Sequence, residues 1–279
     1  MRSGWNVRSG AVCDFVSILD DCEYYGPGHR SLQRLAAEGR DQELQTRYYA
    51  LIGYTYSRTY DNGFSDGLGS TIGATYYPLP GWSKLDWALS QINVNNNFTA
   101  SVIYDLPFGK GKHYGNEWNS VTNALLGNWQ MTVIEKITSG FPIFVVDSAN
   151  FSSGVNFQNN GNSLIRPDQV CSPTSGSHSL SEYFNTACFA FPVAGELGNA
   201  SRTPLSGPDY VNTDFSVIKQ FALPWEHMGL NFRAEFFNLF NHAQFGQPGE
   251  DINAPSSFGK ISSTVGNPRV VQFGLKLTF

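Results

Sequence analysis

The sequence lacks any long apolar run. A helix that spans a membrane needs about 18 to 20 consecutive apolar residues, and the longest apolar run here covers only Phe141 to Val146. Helical membrane proteins are therefore excluded. The first ten residues also lack the apolar stretch of a secretory signal peptide, so either the chain is cytoplasmic or its true start lies upstream of Met1.

Charged residues are scarce as well. They make up 15% of the chain, against roughly 25% in soluble domains, and aromatic residues reach 14%. The net charge of −5 gives no reason to expect a nucleic-acid partner. Gly, Asn, Ser and Thr fill the difference, and this balance favours strands joined by polar loops.

Cysteines are few and fall into two local pairs, Cys13 with Cys22 and Cys171 with Cys188. Each pair lies in sequence typical of a loop, which predicts two loop disulfides formed in an oxidising compartment. Four free thiols are the alternative. No CxxC spacing and no pair of neighbouring histidines indicates zinc, so we expect neither a metal site nor a cofactor.

The clearest regular pattern is an alternation of apolar and polar residues at the C-terminus. Gln272, Gly274, Lys276 and Thr278 share one face of a strand that ends on Phe279, and Val271, Phe273, Leu275, Leu277 and Phe279 share the other. The pattern lasts for the ~9 to 11 residues that a membrane-spanning β-strand needs.

Similar segments recur upstream. Residues 213–223 and 230–241 predict a hairpin closed by a short turn at 224–229. Further strands are expected at 97–106, 48–60 and, more weakly, 31–38, while residues 129–146 hold one or two strand lengths. The total is about seven strands.

The connections alternate in length. The links after Glu38 and Leu223 are short, that after Leu106 is intermediate, and those after Tyr60, Val146 and Asn241 are long. Outer-membrane barrels combine short periplasmic turns with long extracellular loops, while long irregular loops are uncommon in compact soluble domains. The pattern therefore predicts an all-β, antiparallel transmembrane barrel fragment, an open curved sheet, whose last strand runs from the outside to the periplasm. Aromatic residues cluster at the periplasmic strand ends: Tyr48, Tyr49, Phe108, Trp129, Phe221, Trp225 and Phe279.

Two charged residues disagree with this assignment. Glu135 falls on the apolar face of its strand, and so does Lys219. A lysine facing lipid near the midplane costs ~2 to 4 kcal/mol, and a carboxylate costs less. A bulge, a shifted strand boundary or burial against a neighbouring segment would each remove the conflict.

The amino-acid sequence in the last part of the chain resembles that of a known family. The segments 231–242 (NFRAEFFNLFNH) and 258–269 (FGKISSTVGNPR), followed by the terminal strand, resemble the C-terminal end of Oar-like TonB-dependent transporters, which carry a carboxypeptidase-regulatory-like domain near their N-terminus. Residues 104–112 (YDLPFGKGK), 126–130 (LGNWQ), 139–142 (SGFP) and 183–189 (YFNTACF) fit the same family. The resemblance covers residues 30–279, and residues 1–29 match poorly.

The resemblance implies a barrel of about twenty-two strands in the bacterial outer membrane, with an N-terminal plug that the TonB system moves. This chain corresponds to the C-terminal third, so we expect a fragment of a longer product or a chain that pairs with something else, because open sheet edges do not persist in lipid. The implied partners are outer-membrane lipid, the TonB system acting through a plug absent from this chain, an unknown substrate and the barrel assembly machinery. The family's assembly signal corresponds here to Phe273, Leu275, Leu277 and Phe279.

Catalysis is not expected. Ser216 and Lys219 fit an SxxK pattern, but on a strand the two side chains point to opposite faces, whereas acyl enzymes need them on one helical face. The run 108–112 (FGKGK) lacks the spacing of a phosphate-binding loop and no clear helix follows it. The favoured function is energy-coupled import of a large or scarce substrate, first met by the long loops. The alternative is a secreted or surface β-sandwich module that binds carbohydrate.

Overall fold

The computed structural model describes residues 23–26, 29–32, 35–40, 47–61, 86–148, 166–194, 196–223 and 228–279. Its main sheet contains nine strands, and six shorter strands lie outside that sheet. In chain order the strands are β1 (Glu23–Gly26), β2 (His29–Leu32), β3 (Leu35–Arg40), β4 (Arg47–Ser57), β5 (Tyr60–Asp61), β6 (Ala88–Leu89), β7 (Asn96–Asp105), β8 (Trp129–Thr138), β9 (Pro142–Ile143), β10 (Asp168–Gln169), β11 (Phe189–Ala190), β12 (Leu205–Ser206), β13 (Tyr210–Ala222), β14 (Gly229–Phe237) and β15 (Val270–Thr278).

The main sheet is an antiparallel meander. Its strands follow the order β1-β2-β4-β7-β8-β13-β14-β15, and β3 also pairs with β4. Strands β2 and β3 lie along the same edge of β4, opposite its two ends. The sheet is open, with β15 at one edge. The main-sheet strands from β4 onward are 9 to 13 residues long. They therefore reach the length that a tilted strand needs to cross a bilayer.

One face of this sheet is apolar from β4 to β15. Residues paired across neighbouring antiparallel strands lie on the same face, so the register decides which side chains share a surface. It aligns Phe273 with Ala234, Ala234 with Val217, and Val217 with Met131. The apolar residues brought together on this face are Val271, Phe273, Leu275, Leu277, Leu230, Phe232, Ala234, Phe236, Val211, Phe215, Val217, Phe221, Trp129, Met131, Val133, Ile137, Phe98, Ala100, Val102, Tyr104, Tyr48, Ala50, Ile52, Tyr54 and Tyr56.

The opposite face is mostly polar. Gln130 donates a hydrogen bond to Asp105 at 2.8 Å across the β7–β8 pair, and Gln272 donates to Glu235 across the β14–β15 pair. The main apolar exceptions on this face are Leu51, Ile103, Ile134, Ile218, Phe237 and Val270. A sheet with one apolar and one polar face, repeated over consecutive meander strands, is the pattern of a barrel wall between lipid and an aqueous lumen.

The two charged residues on the apolar face remain there, in unbroken register. Lys219 is buried: its Nζ donates to the Gly127 carbonyl and lies 5.0 Å from the Trp129 ring centroid and 5.1 Å from that of Phe221. Glu135 accepts a 2.6 Å hydrogen bond from the Thr213 hydroxyl on the neighbouring strand. Of the three expected remedies, burial against a neighbouring segment therefore applies to Lys219, and neither residue needs a bulge.

Three details differ from the expectations. The strand over 230–241 ends at Phe237, so Phe240 lies in the following turn, where its side chain is exposed. The region before residue 30 contributes β1 and part of β2, which raises the strand count above seven. A seven-residue helix, α1 (Ser120–Leu126), follows the 108–112 turn. Among the described helices, none has the length and apolar character to cross a membrane.

The connections divide the sheet into two ends. Links 106–128 and 223–228 join strands at one end, called here the turn side. Links 58–95, 139–209 and 238–269 join strands at the other end, called here the loop side. From β4 to β15 the connections therefore alternate as predicted, with intermediate or short links on the turn side and long links on the loop side.

Candidate functional site

The long links on the loop side fold together into one unit. We call their described residues (58–61, 86–95, 139–148, 166–194, 196–209 and 238–269) the cap. Three two-stranded ribbons tie two of these links to themselves: β5–β6 lies within the 58–95 link, and β9–β12 and β10–β11 lie within the 139–209 link. Between them lies a hydrophobic core of Ile143, Val145, Phe184, Phe189, Ala200, Leu205, Ile252 and Phe258.

Aromatic packing gives this core its centre. Phe184 is fully buried, and its ring centroid lies 5.3 Å from that of Phe258 and 5.8 Å from that of Phe189, both edge-on. The edge-to-face arrangement is a preferred geometry for aromatic pairs. Because Phe184 and Phe258 come from different links, their contact joins the 139–209 link to the 238–269 link.

Buried arginines connect the 58–95 link to the 139–209 link within the cap. Arg202 has no exposed surface; its Nε donates to the Asp86 carbonyl at 3.0 Å and its guanidinium pairs with Asp61. Arg166 forms an ion pair with Asp86 at 3.3 Å. Removing one member of a buried pair leaves an uncompensated charge, which is strongly destabilising. These two pairs therefore hold the 58–95 link against the 139–209 link.

The neck of the cap depends on close approach of two backbone segments. A Cβ added to Gly140 would lie 1.9 Å from the Gly207 carbonyl oxygen, so no side chain fits there. The Gly140 amide donates to Asp209 at 3.0 Å, and the Gly207 amide donates to the Phe141 carbonyl at 2.8 Å. This contact explains the glycine in the 139–142 motif, since it closes the cap where β8 leaves the sheet and β13 enters it.

Two asparagine side chains hold the chain in place within the 238–242 motif (NLFNH). Asn238 is buried with a φ of 51°, a conformation that asparagine tolerates better than most residues. Its side chain donates to the His242 carbonyl at 2.9 Å and accepts from the His242 amide at 2.8 Å. The Asn241 side chain accepts from the Arg269 amide at 3.0 Å. The two asparagines thus tie the end of β14 to the start of β15.

The cap contains an open pocket of about 310 Å³. Its wall combines ring side chains with hydroxyl groups from two segments of the 139–209 link, and Leu89 closes it from the 58–95 link. Thr203 is fixed there by a 2.9 Å hydrogen bond from its hydroxyl to the Leu89 carbonyl. The lining residues are Leu89, Thr174, His178, Tyr183, Phe184, Thr203, Pro204, Leu205 and Ser206.

Tyr183 places a neutral hydroxyl group in the pocket wall. Burial, and then the nearby charge of Asp209, raise the pKa of Tyr183 above its ordinary value. The hydroxyl donates to the Ser206 carbonyl at 3.3 Å, and the His178 ring lies edge-on at 5.5 Å. A surface of rings and hydroxyls can stack and hydrogen-bond with a polar organic ligand.

Two neighbouring carboxylates, Glu250 and Asp251, lie in the 238–269 link of the cap. Burial alone would raise the pKa of Asp251, yet hydrogen bonds from Ser148 and Asn253 outweigh it and hold that pKa below its ordinary value. Its neighbour Glu250 has no such donors described, and burial raises the pKa of Glu250 to about 7. No group of three or more metal-ligating side chains occurs among the described residues.

The predicted site residues fall in separate places. Cys171 and Cys188 are joined by a disulfide in the cap, while Cys13 and Cys22 lie outside the described residues. Phe273, Leu275, Leu277 and Phe279 all project from the edge strand β15 or its end, with Phe279 93% exposed. Ser216 and Lys219 lie on one strand, with their side chains on opposite faces. Trp225 lies outside the described residues, and Tyr49 faces the polar side.

Sequence analysis missed the cap core and the pocket. The pocket residues lie in loop-like sequence with no periodicity, and the core aromatics come from links about seventy residues apart in the chain. The 183–189 motif was the one available signal, since it holds Tyr183, Phe184, Cys188 and Phe189.

Neither the search of curated proteins nor the search of solved structures found a match. A family model described as an outer membrane beta barrel domain matches residues 37–272. This match covers most of the chain and agrees with the open antiparallel sheet, so the predicted all-β class and outer-membrane location are confirmed. The chain belongs to the outer membrane β-barrel domain family.

Proposed function

We propose that the chain is part of the barrel of a TonB-dependent transporter of the Oar-like type, which imports a large or scarce substrate across the outer membrane. The single observation that carries the proposal is the resemblance of the 231–242 and 258–269 segments to that family. Barrels in this family are typically transporters or structural proteins rather than enzymes, and the chemistry of the cap pocket suits binding.

The open sheet supports a larger barrel. Both edges of the described sheet need backbone partners, because an unpaired edge is costly in lipid. In the proposed assembly, further strands of a longer product pair with β15 and with the β1 edge. The polar face then lines the lumen, where a plug would lie.

The cap supports a role in substrate capture. It is a folded unit at the strand ends that carry the long links, which are extracellular in outer-membrane barrels. We propose that the pocket around Tyr183 and His178 contacts the substrate first, and that its rings and hydroxyls suit a polar organic molecule such as a sugar or a peptide. The carbohydrate-binding sandwich is less well supported, because a sandwich packs its apolar faces together, whereas here the apolar face of the sheet is exposed.

The assembly signal belongs to the same proposal. Phe273, Leu275, Leu277 and Phe279 form the apolar side of the final strand, and we propose that the barrel assembly machinery binds this strand edge. In the full-length protein, Phe279→Asp should lower the amount inserted into outer membranes, and Thr278→Asp, on the polar face, serves as the matched control. Equal outer-membrane yield of both variants and the unmodified protein would contradict this role.

Genetics tests the transport proposal. A deletion of the gene and a deletion of the energy-transducing protein should cause the same growth defect on a panel of polysaccharides and peptides, and the double deletion should add nothing. A defect that the energy-transducing deletion does not reproduce would contradict energy-coupled import. So would purified full-length protein that conducts the panel compounds passively at porin rates.

A further inference from the structure

An exposed apolar patch lies on the turn side of the sheet, away from the cap. Helix α1 leaves Val121 70%, Leu125 64% and Leu126 55% exposed. Val121 and Leu125 are four residues apart and therefore lie on the same face of the helix. Contiguous apolar surface of this kind marks a contact with a partner or a membrane.

The polar side of the helix is fixed toward the turn. Asn119 caps the N-terminus by accepting the Thr122 amide at 2.8 Å, and Asn123 accepts the Lys110 amide at 2.7 Å. The Asn128 amide donates to the Phe108 carbonyl at 3.0 Å. These bonds orient α1 in one way, so the exposure of its apolar side does not result from a loosely attached helix.

The C-terminal end of the helix is held by two side chains of the apolar sheet face. The Trp129 indole N–H donates to the Leu125 carbonyl at 3.0 Å, and the Lys219 ammonium donates to the Gly127 carbonyl. Trp129 and Lys219 are cross-strand partners on that face, and the Trp129 ring also contacts Phe232 edge-on at 6.4 Å. The helix therefore ends at the turn-side rim of the surface that faces lipid.

We propose that α1 is an interfacial membrane anchor, with Val121, Leu125 and Leu126 in contact with phospholipid at the boundary between headgroups and acyl chains. Three observations combine: the apolar side is exposed, the polar side is bonded to the turn, and the end is joined to the apolar sheet face. Tryptophan and lysine at the rim suit this level of a bilayer, where one part of the side chain is apolar and the other is wet. Short amphipathic helices bind membranes by burying one face at this depth.

The position of the anchor has a consequence for Lys219. Its ammonium lies 5.0 Å from the Trp129 ring centroid and 5.1 Å from that of Phe221, and it donates to the Gly127 carbonyl after the helix. The helix thus supplies the acceptor that lets a lysine occupy the apolar face. The anchor and the lysine form one structural unit at the rim.

Photo-crosslinking in the full-length protein tests the proposal. A photoreactive phenylalanine analogue is placed at position 121 or 125 and irradiated in outer membranes that contain radiolabelled phospholipid. Position 117 is the negative control, because Glu117 is an exposed polar residue of the same insert. Position 273 is the positive control, because Phe273 projects from the apolar face and is 71% exposed.

The expected result is a phospholipid adduct at 121 and 125 that is several-fold stronger than at 117 and comparable with that at 273. A lipid adduct at 273 with none above the control level at 121 and 125 would overturn the proposal. Adducts of 121 and 125 to a discrete protein would overturn it as well and would identify α1 as a protein-docking surface. Absence of a lipid adduct at 273 as well would contradict the membrane-facing role of the sheet. The experiment therefore distinguishes a wrong assignment of the helix from a wrong assignment of the sheet.

Discussion

The sheet and the cap use the same kinds of side chain in opposite ways. In the sheet, aromatic and aliphatic residues project outward, and Phe273 is 71% and Leu275 69% exposed. In the cap they point inward, and Phe184, Ile143 and Val145 have no exposed surface. The difference follows from the surroundings, because apolar surface in lipid needs no burial, whereas a domain in water is stabilised by removing that surface from solvent.

The charged residues of the cap and of the apolar sheet face have different kinds of partner. The cap buries Arg166 and Arg202, each beside an aspartate. On the apolar face of the sheet, Lys219 lies at the turn-side rim with a backbone acceptor, and Glu135 has a hydroxyl donor. Each region therefore places these charges where a partner exists. Of the two regions, the cap is the one that resembles a soluble domain.

The largest effect is predicted for a comparison of the same substitution, phenylalanine to alanine, in the cap and in the sheet. Phe184→Ala leaves a cavity between Phe189 and Phe258, and truncating a buried phenylalanine costs about 3 to 5 kcal/mol. Phe273→Ala removes a ring that faces outward and should leave the cap unchanged. Hydrogen exchange of cap amides in the reconstituted protein measures the stability of the cap in both variants. Equal exchange in the two variants would contradict the distinction.

The second prediction uses neighbouring residues on β13. Val217→Arg places a charge on the apolar face in the middle of the strand, which costs up to about 4 kcal/mol in a bilayer. Ser216→Arg places the same charge on the polar face and should cost less than about 1 kcal/mol. Unfolding by denaturant in lipid vesicles gives the free energies, and similar losses for both variants would show that β13 does not separate lipid from lumen.

The third prediction concerns the cap disulfide. Cys171 and Cys188 are 17 residues apart in sequence, and closing a loop of this length stabilises the folded state by about 3 kcal/mol. Replacing both residues by serine should speed proteolysis within 166–209 and leave the thermal unfolding of the barrel unchanged. A lowered barrel melting temperature with an intact cap would reverse the expectation.

The smallest predicted effect is a pH dependence of the cap. The pKa of Glu250 is about 7 in the folded protein, above its value of about 4.3 in the unfolded chain, so the folded state binds more protons between these values. Stability contributed by the protonated group is present at low pH and is lost as pH rises through 7. Because the side chain is partly exposed, the loss should be about 2 kcal/mol.

The measurement is cap stability from pH 5 to pH 8.5. Glu250→Gln should flatten the profile, whereas Glu117→Gln, at an exposed glutamate on the turn side, should not change it. A cap whose stability rises across this range in the unmodified protein would contradict the assignment.

The sheet was predictable from the sequence to the extent that its pattern is local. Alternation marked β7, β13, β14 and β15 within a few residues, because every second side chain faces one medium along the whole strand. Strand β8 was found with a less certain end, since the following residues form β9 in the cap. The helix α1 was missed because it is short, although Asn119 was a usable capping signal.

The cap was not predictable by the same reasoning. Its strands have two residues each, and its ion pairs join distant positions, as Arg202 and Asp61 are 141 residues apart. No period in the sequence connects Ile143 with Phe258. Lys219 shows the same limit within the sheet, because its acceptor is a carbonyl 92 residues earlier in the chain.

The most direct test of the account is an accessibility scan along β13. Nitroxide labels are placed singly at positions 214 to 218 of the full-length protein in lipid bilayers, with Cys13 and Cys22 replaced by serine. Labels at 215 and 217 should be accessible to oxygen dissolved in the membrane, and labels at 214, 216 and 218 should be protected from it. Absence of this two-residue alternation, or an alternation of opposite phase, would contradict a barrel wall with its apolar face in lipid.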